Sequence, residues 1–235
     1  MSKGEEKVTD NYDKQVLMAR EIFLKYDWRA MAAKFQLKID QEYVYLPCMD
    51  QMYRISGKTG SIGKKKECWE NAGMVFPENE TALGSAEAQG EYEECLDYNV
   101  VMTLYDVLCY SKEKPELAND WCPLNNLQVT MSSPDADTFT QKYAGHFSGK
   151  TVRLQEACRR IGGRKPEISA GADVCWEFDL FPFFPVQLRF WEKDEEFPPQ
   201  IRLLWDKNSL KFMHFETLYY VMHLLLEHLR KNIVF

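Results

Sequence analysis

The residues of this chain that could do chemistry are four histidines, seven cysteines and several closely spaced carboxylates. His214 stands before the last helical stretch, with Asp206 and Glu216 near it in sequence. An imidazole and carboxylates converging on one pocket are the materials of acid–base or metal chemistry. In one regular helix His214 and Glu216 face different ways. Asp173 joins Asp206, His214 and Glu216 as a candidate catalytic group. His223, with Glu227 four residues on, and His228 are expected on a solvated helix face.

The cysteines stand at 48, 68, 95, 109, 122, 158 and 175, and the closest pair is thirteen positions apart. Zinc ribbons, iron–sulfur clusters and dithiol redox sites use two ligands on one tight turn. No such pair occurs here, so no metal ligand set is assigned. Reduced, mostly buried thiols are the expectation, and a metal site built from distant cysteines is the alternative. The run Gly57-Lys58-Thr59-Gly60-Ser61-Ile62-Gly63-Lys64-Lys65 fails as a phosphate loop. Lys58 occupies the first glycine's place, and Lys65 replaces the hydroxyl that would hold magnesium. Neither a dinucleotide fingerprint nor a serine or zinc hydrolase motif is present.

Two charged constellations remain. The turn Asp194-Glu195-Glu196-Phe197-Pro198-Pro199 could hold a cation or a basic partner. Its bland reading is a solvated loop with Phe197 tucked into the core. Glu177, Asp179, Arg189, Arg202 and Asp206 face away from the aromatic side of a strand meander and could line a ligand cleft. Cross-strand ion pairs, each worth a few tenths of a kcal/mol, are the bland reading of that set. The candidate ligand-binding residues are therefore Glu177, Arg189, Trp191, Glu195, Glu196 and Arg202, and the cofactor is left unassigned.

Position depends on the elements. Asp10 and Asp27 have the composition and placement of helix N-caps. Tyr12, Val16, Ala19, Phe23 and Tyr26 repeat at helical spacing, and a short helix follows over 28–35. Leu37, Ile39, Tyr43, Tyr45 and Leu46 then read as strand, with 52–55 as a partner. Residues 57–94 show no clear period and are expected to form a long, partly mobile insertion. Helices are expected from about Leu96 to Leu108, around 138–143 and over 150–161, where Gly162-Gly163 stops the last of them. From Val174 the apolar residues alternate with polar ones in three strands, broken at Pro182-Phe183-Phe184-Pro185 and over 193–199. If the first turn centres on Phe183, Glu177 lies opposite Arg189. Burying Trp176, Phe178 and Phe190 at about 1.5–3 kcal/mol each should anchor the fold. A final helix carries a core stripe of Leu218, Val221, Met222, Leu225 and Leu229, with Glu227 and Lys231 spaced as an ion pair.

Composition bounds the partners. The chain has 235 residues, 45% of them hydrophobic, and a net charge of −7. That apolar content excludes wholesale disorder. The acidic balance argues against nucleic acid as a partner. No apolar run is long enough to span a membrane, and the opening MSKGEEK lacks the apolar stretch of a signal peptide. A cytoplasmic protein is expected.

Ile161-Gly162-Gly163, Gly171-Ala172-Asp173, Phe181-Pro182 with Pro185-Val186, Trp191, the Asp194 to Pro199 turn, Leu204-Trp205-Asp206 and Glu216 occur in that order. In this the chain resembles an uncharacterised domain-of-unknown-function family, numbered 3786, of anaerobic bacteria and archaea. The match is dense over 161–216 and looser before it. Some members are associated with corrinoid or one-carbon metabolism through an attached four-cysteine iron–sulfur module, which the cysteine spacing here does not provide. The resemblance implies a fold and a metabolic neighbourhood, and it carries over no catalytic residue.

The expectation is one α+β domain, 1–235: an antiparallel sheet with flanking helices and the 57–94 insertion. Its leading functional reading is a small-molecule or cofactor binding or accessory protein, partnered by a small molecule or a cofactor-carrying protein. One alternative is an acid–base enzyme. The other is a homo-oligomeric structural protein with an exposed apolar patch on the last helix.

Overall fold

A computed structural model describes residues 11–66, 90–127, 136–167, 169 and 171–233. Asp10 lies outside them, and the helix it was expected to cap runs as α1 (Asn11–Phe23). Its outer surface is more apolar than the spacing predicts, with Tyr12, Leu17, Met18 and Ile22 exposed. The Asp27 carboxylate accepts the N–H groups of Arg29 and Ala30, and so starts α2 (Trp28–Lys34). The chain then forms an antiparallel meander of five strands in sequence order: β1 (Lys38–Ile39), β2 (Tyr43–Cys48), β3 (Gln51–Ser56), β4 (Ile62–Lys65) and β5 (Tyr92–Glu94). The two ends of the expected insertion are thus strands. Only Ile62 of β4 is buried, so four residues carry too short an alternation to read. Residues 67–89 lie outside the described part.

Asp97 caps α3 (Tyr98–Tyr110) through the N–H groups of Asn99 and Val100. A short strand β6 (Trp121–Pro123) and a 3-10 turn (Leu124–Asn126) precede α4 (Ala136–Phe147) and α5 (Thr151–Arg160). The two glycines after α5 have different tasks. Gly162 takes the left-handed conformation with φ 81°. At Gly163 a Cβ would lie 2.7 Å from both the Cys158 carbonyl oxygen and the Phe178 ring. The chain closes with β7 (Val174–Phe181), β8 (Phe184–Trp191), β9 (Gln200–Asp206) and α6 (Phe215–Asn232). The class is α+β as expected, with two antiparallel sheets where one was anticipated. The second has the order β6-β9-β8-β7.

The β7–β8 register differs from the expected one. Glu177 pairs with Gln187, and Arg189 pairs with Cys175. The turn is only Pro182-Phe183, and Leu180 bulges out of the ladder, so the hairpin centre moves toward the N-terminus. Glu177 and Arg189 stay on one face as diagonal neighbours, joined through the Gln187 side chain. Gln187 Nε2 donates to Glu177 Oε1 at 3.0 Å, and Arg189 Nε donates to Gln187 Oε1 at 2.7 Å. The bulge also links the sheets. Met49, in the β2–β3 turn with φ 54°, donates its N–H to the Leu180 carbonyl at 2.8 Å.

One hydrophobic core runs between both sheets and the helices. Trp176, Phe178 and Phe190 are buried in it, as is the expected stripe of α6. Two histidines of α6 that were expected to face solvent instead reach other elements. His223 Nδ1 is 2.8 Å from the Tyr143 hydroxyl of α4, and His228 Nε2 is 2.9 Å from Asp50 in the β2–β3 turn. Glu227 pairs with Arg230 rather than Lys231, because the 2.8 Å contact is made at i,i+3. None of the exposed large apolar side chains among the described residues lies on α6, so the expected patch there is absent. Phe190→Ala should lower the unfolding free energy by about 3–5 kcal/mol, read as a shifted denaturant midpoint at unchanged slope.

Candidate functional site

Alternation along β7, β8 and β9 sends Val174, Trp176, Phe178, Leu188, Phe190, Leu203 and Trp205 inward. Their neighbours form the outer face of the second sheet. There Arg189 lies directly opposite Arg202 across the β8–β9 register, and Trp191 lies opposite Gln200. The Arg202 guanidinium sits 5.9 Å from the centre of the Trp191 ring. Arg189 is held by the neutral Gln187 amide, which is itself buried. Farther along, Arg164 bridges the edge of β7: its backbone pairs with Glu177 and its guanidinium reaches Asp179 at 2.7 Å. Glu177 and Asp179 thus belong mainly to Arg164 and Gln187, while Arg189, Trp191 and Arg202 make a separate cationic and aromatic group.

The acidic turn is the expected solvated loop, but its aromatic residue lies outside the core. Asp194 Oδ1 accepts the N–H groups of Glu196 and Phe197, at 2.8 and 2.7 Å, and so closes the turn on itself. Phe197 is 58% exposed rather than tucked into the core, because that closure holds the loop away from the sheet. Glu195 and Glu196 are exposed on it.

The candidate catalytic groups have separate partners. Asp173 accepts the Glu192 N–H at 2.8 Å. Asp206 is buried and accepts three backbone N–H groups, from Ala118, Asn119 and Asn208, at 2.9, 2.7 and 2.7 Å. It pins the loop before β6 to the end of β9. Glu216 is exposed in the first turn of α6, where its charge suits the helix dipole.

His214 pairs with neither Asp206 nor Glu216. Its partner is Asp106 of α3, a residue the sequence reading did not single out. Asp106 Oδ1 is 2.5 Å from His214 Nδ1, and Oδ2 accepts the His214 N–H at 2.8 Å and the Thr217 hydroxyl at 2.6 Å. The carboxylate is largely buried, while the imidazole is half exposed and lies with its ring centre 3.4 Å from that of Tyr110. A carboxylate that engages Nδ1 fixes the ring orientation and tautomer, as in oriented imidazole bases and ligands. The signal for Asp106 is one charged residue within the apolar α3 sequence. Its partner lies 108 residues away, so spacing could not pair them.

Six cysteines among the described residues carry free thiols. Burial pushes the Cys48 and Cys109 thiols up to about 12, away from the reactive thiolate. Cys68 lies outside the described residues. Among the described residues no group of three or more histidine, cysteine, aspartate or glutamate side chains is placed to hold a metal ion, and no helix is long and apolar enough to cross a membrane.

Fold and site together define an α+β domain whose charged side chains gather on the outer face of its C-terminal sheet. The family model for a domain of unknown function, DUF3786, matches residues 80–228, so the chain belongs to that family. The matched part begins just before β5 and includes α3, the whole second sheet and most of α6. No curated protein and no solved structure matches the chain.

Two outcomes follow from the carboxylates. Asp206→Ala strands three inward N–H groups and should cost about 1–3 kcal/mol of stability, read by chemical denaturation. Burial pushes the Glu192 carboxyl up, but the Ser148 hydroxyl and the Gly149 and Lys193 N–H groups outweigh it and leave it below its ordinary 4.5. A lowered folded-state value stabilises fully above the unfolded one, and the contribution is lost as pH falls through the folded one. Glu192→Gln should therefore reduce stability at neutral pH and flatten the decline below about pH 4.5 in pH-dependent melting.

Proposed function

We propose that this protein is a non-catalytic binding or accessory protein for a small molecule or cofactor that carries an anionic group. The observation behind the reading is the placement of Arg189 directly opposite Arg202 on adjacent strands. Two guanidinium forks side by side on the sheet can give an anion charge-assisted contacts, and their geometry suits carboxylate and phosphate groups. Trp191, beside Arg202, offers a flat apolar surface to the rest of the ligand. The likeness to the family of anaerobic bacteria and archaea suggests a setting in corrinoid or one-carbon metabolism, with the ligand passed to or from a cofactor-carrying protein in the cytoplasm. Corrinoids, folates and nucleotides all bear a phosphate or carboxylate, so each has the group this surface would hold.

A second reading, acid–base chemistry, is favoured by the Asp106–His214 pair, whose carboxylate engages Nδ1 of a half-exposed imidazole. It gives His214 a role the binding reading leaves unused.

Thermal melting against corrinoids, folates and nucleotides tests the first reading. A ligand at about a hundredfold its dissociation constant should stabilise by about 2.7 kcal/mol, a rise of roughly 5–10 °C for a chain of this size. Arg189→Ala should remove most of that rise. No rise with any member of the panel counts against binding. A rise that Arg189→Ala leaves intact moves the ligand off this face.

A further inference from the structure

A groove of about 510 Å³ runs beside α5, within the roughly 300–1,000 Å³ range of small-molecule pockets. Arg153, Glu156, Arg159 and Arg160 line it from the helix, Lys165 from the loop that follows, and Trp176 from β7. Four cations thus meet one carboxylate in a chain whose net charge is −7. Glu156 is already committed, to Arg159 at 2.7 Å and to Arg160 at 3.2 Å. Arg153 and Lys165 have no carboxylate partner among the described residues. The cationic excess is therefore not neutralised within the groove.

Helix geometry sets the spacing of the charges. Arg153, Glu156 and Arg160 stand three and four residues apart, on one side of α5. The two arginines are two turns apart, about 10 Å along the axis at 1.5 Å per residue. Two long side chains can close that gap on a pair of linked phosphates, and guanidinium forks suit phosphate oxygens. The remaining wall is not cationic. Val152 lines the groove while 79% exposed, and Trp176 brings an aromatic ring. The Lys165 ammonium lies 5.7 Å from the centre of that ring, so charge and aromatic surface adjoin. Gln155 adds an amide from α5, and Asn232 adds another from the end of α6. Asn232 Nδ2 donates to the His228 carbonyl at 2.9 Å, which leaves the amide oxygen to accept.

We infer that this groove binds a phosphorylated small molecule of nucleotide size. Its phosphates lie among Arg153, Arg160 and Lys165, and its polar body lies against Trp176 and the Gln155 and Asn232 amides. The inference stands apart from the outer-face reading. Trp176 is on the buried side of β7, whereas Arg189 and Arg202 are on the opposite face of the sheet.

The test is a titration of the nitrogen-15-labelled full chain with adenosine diphosphate and, separately, with adenosine and inorganic pyrophosphate. It follows the backbone amides of Arg153, Arg160 and Lys165, and those of Arg189 and Arg202 as a second region. Adenosine diphosphate should shift the first set along a saturable curve, adenosine should leave it unmoved, and pyrophosphate should bind several-fold more weakly. Arg153→Gln with Lys165→Gln, both at exposed positions, should weaken adenosine diphosphate by about tenfold or more, as loss of charge-assisted contacts does. The rest of the amide spectrum reports whether that variant is folded, and Arg153→Gln alone carries the comparison if it is not. Amides of the first set unmoved by adenosine diphosphate, or an affinity unchanged in the variant, overturn the inference. Adenosine binding as tightly as its diphosphate overturns the phosphate assignment, and pyrophosphate doing so overturns the nucleotide-sized body. If adenosine diphosphate moves the Arg189 and Arg202 amides alone, the groove fails while the outer-face reading survives.

Discussion

Strand alternation within the second sheet governs most of what this molecule can do. Trp176, Phe178, Leu188, Phe190, Leu203 and Trp205 must leave water, and a pleated strand turns every second residue the other way. Their burial therefore fixes Arg189, Trp191 and Arg202 on the outer face without any interaction designed among those three. The same constraint buries Trp205 with its polar nitrogen enclosed, so a donor ends up where no acceptor waits. A register slip of one residue would exchange the two faces and destroy both features. The Leu180 bulge absorbs the extra residue of β7, and its carbonyl becomes the bond to Met49 that joins the first sheet to the second.

The last helix is held by a different device. Three histidines tie its start, middle and end to α3, α4 and the β2–β3 turn, through Asp106, Tyr143 and Asp50. Each contact joins residues far apart in sequence to a core already closed by leucines. Asp106 does more than orient an imidazole. By accepting the N–H of His214 it also satisfies a group at the start of α6 that helical bonding leaves over. Structural and chemical roles thus meet on one carboxylate, and the second functional reading depends on separating them.

Much of the fold was legible because local patterns agreed with tertiary burial. Asp27 caps its helix, Gly162 ends another, and the three strands after Val174 follow their period of two. Features decided by one residue or by distant contacts were not legible. The two-residue turn at Pro182-Phe183 moved Glu177 from Arg189 to Gln187, a difference no propensity encodes. Phe197 was read as core because it is aromatic, yet Asp194 closes the turn and leaves it outside. In the site, Arg189, Trp191 and Arg202 were visible as outward positions, and the structure places them together. The unpartnered indole of Trp205 could not be foreseen, since it depends on which distant neighbours pack around it.

The most direct measurement is anomalous diffraction from crystals of the full chain soaked in bromoacetate, whose bromine marks the ligand in the density. One strong peak is expected on the outer face of the second sheet, with carboxylate density between the Arg189 and Arg202 guanidinium groups. Bromine absent from that face, or scattered over the whole surface, would contradict the binding reading.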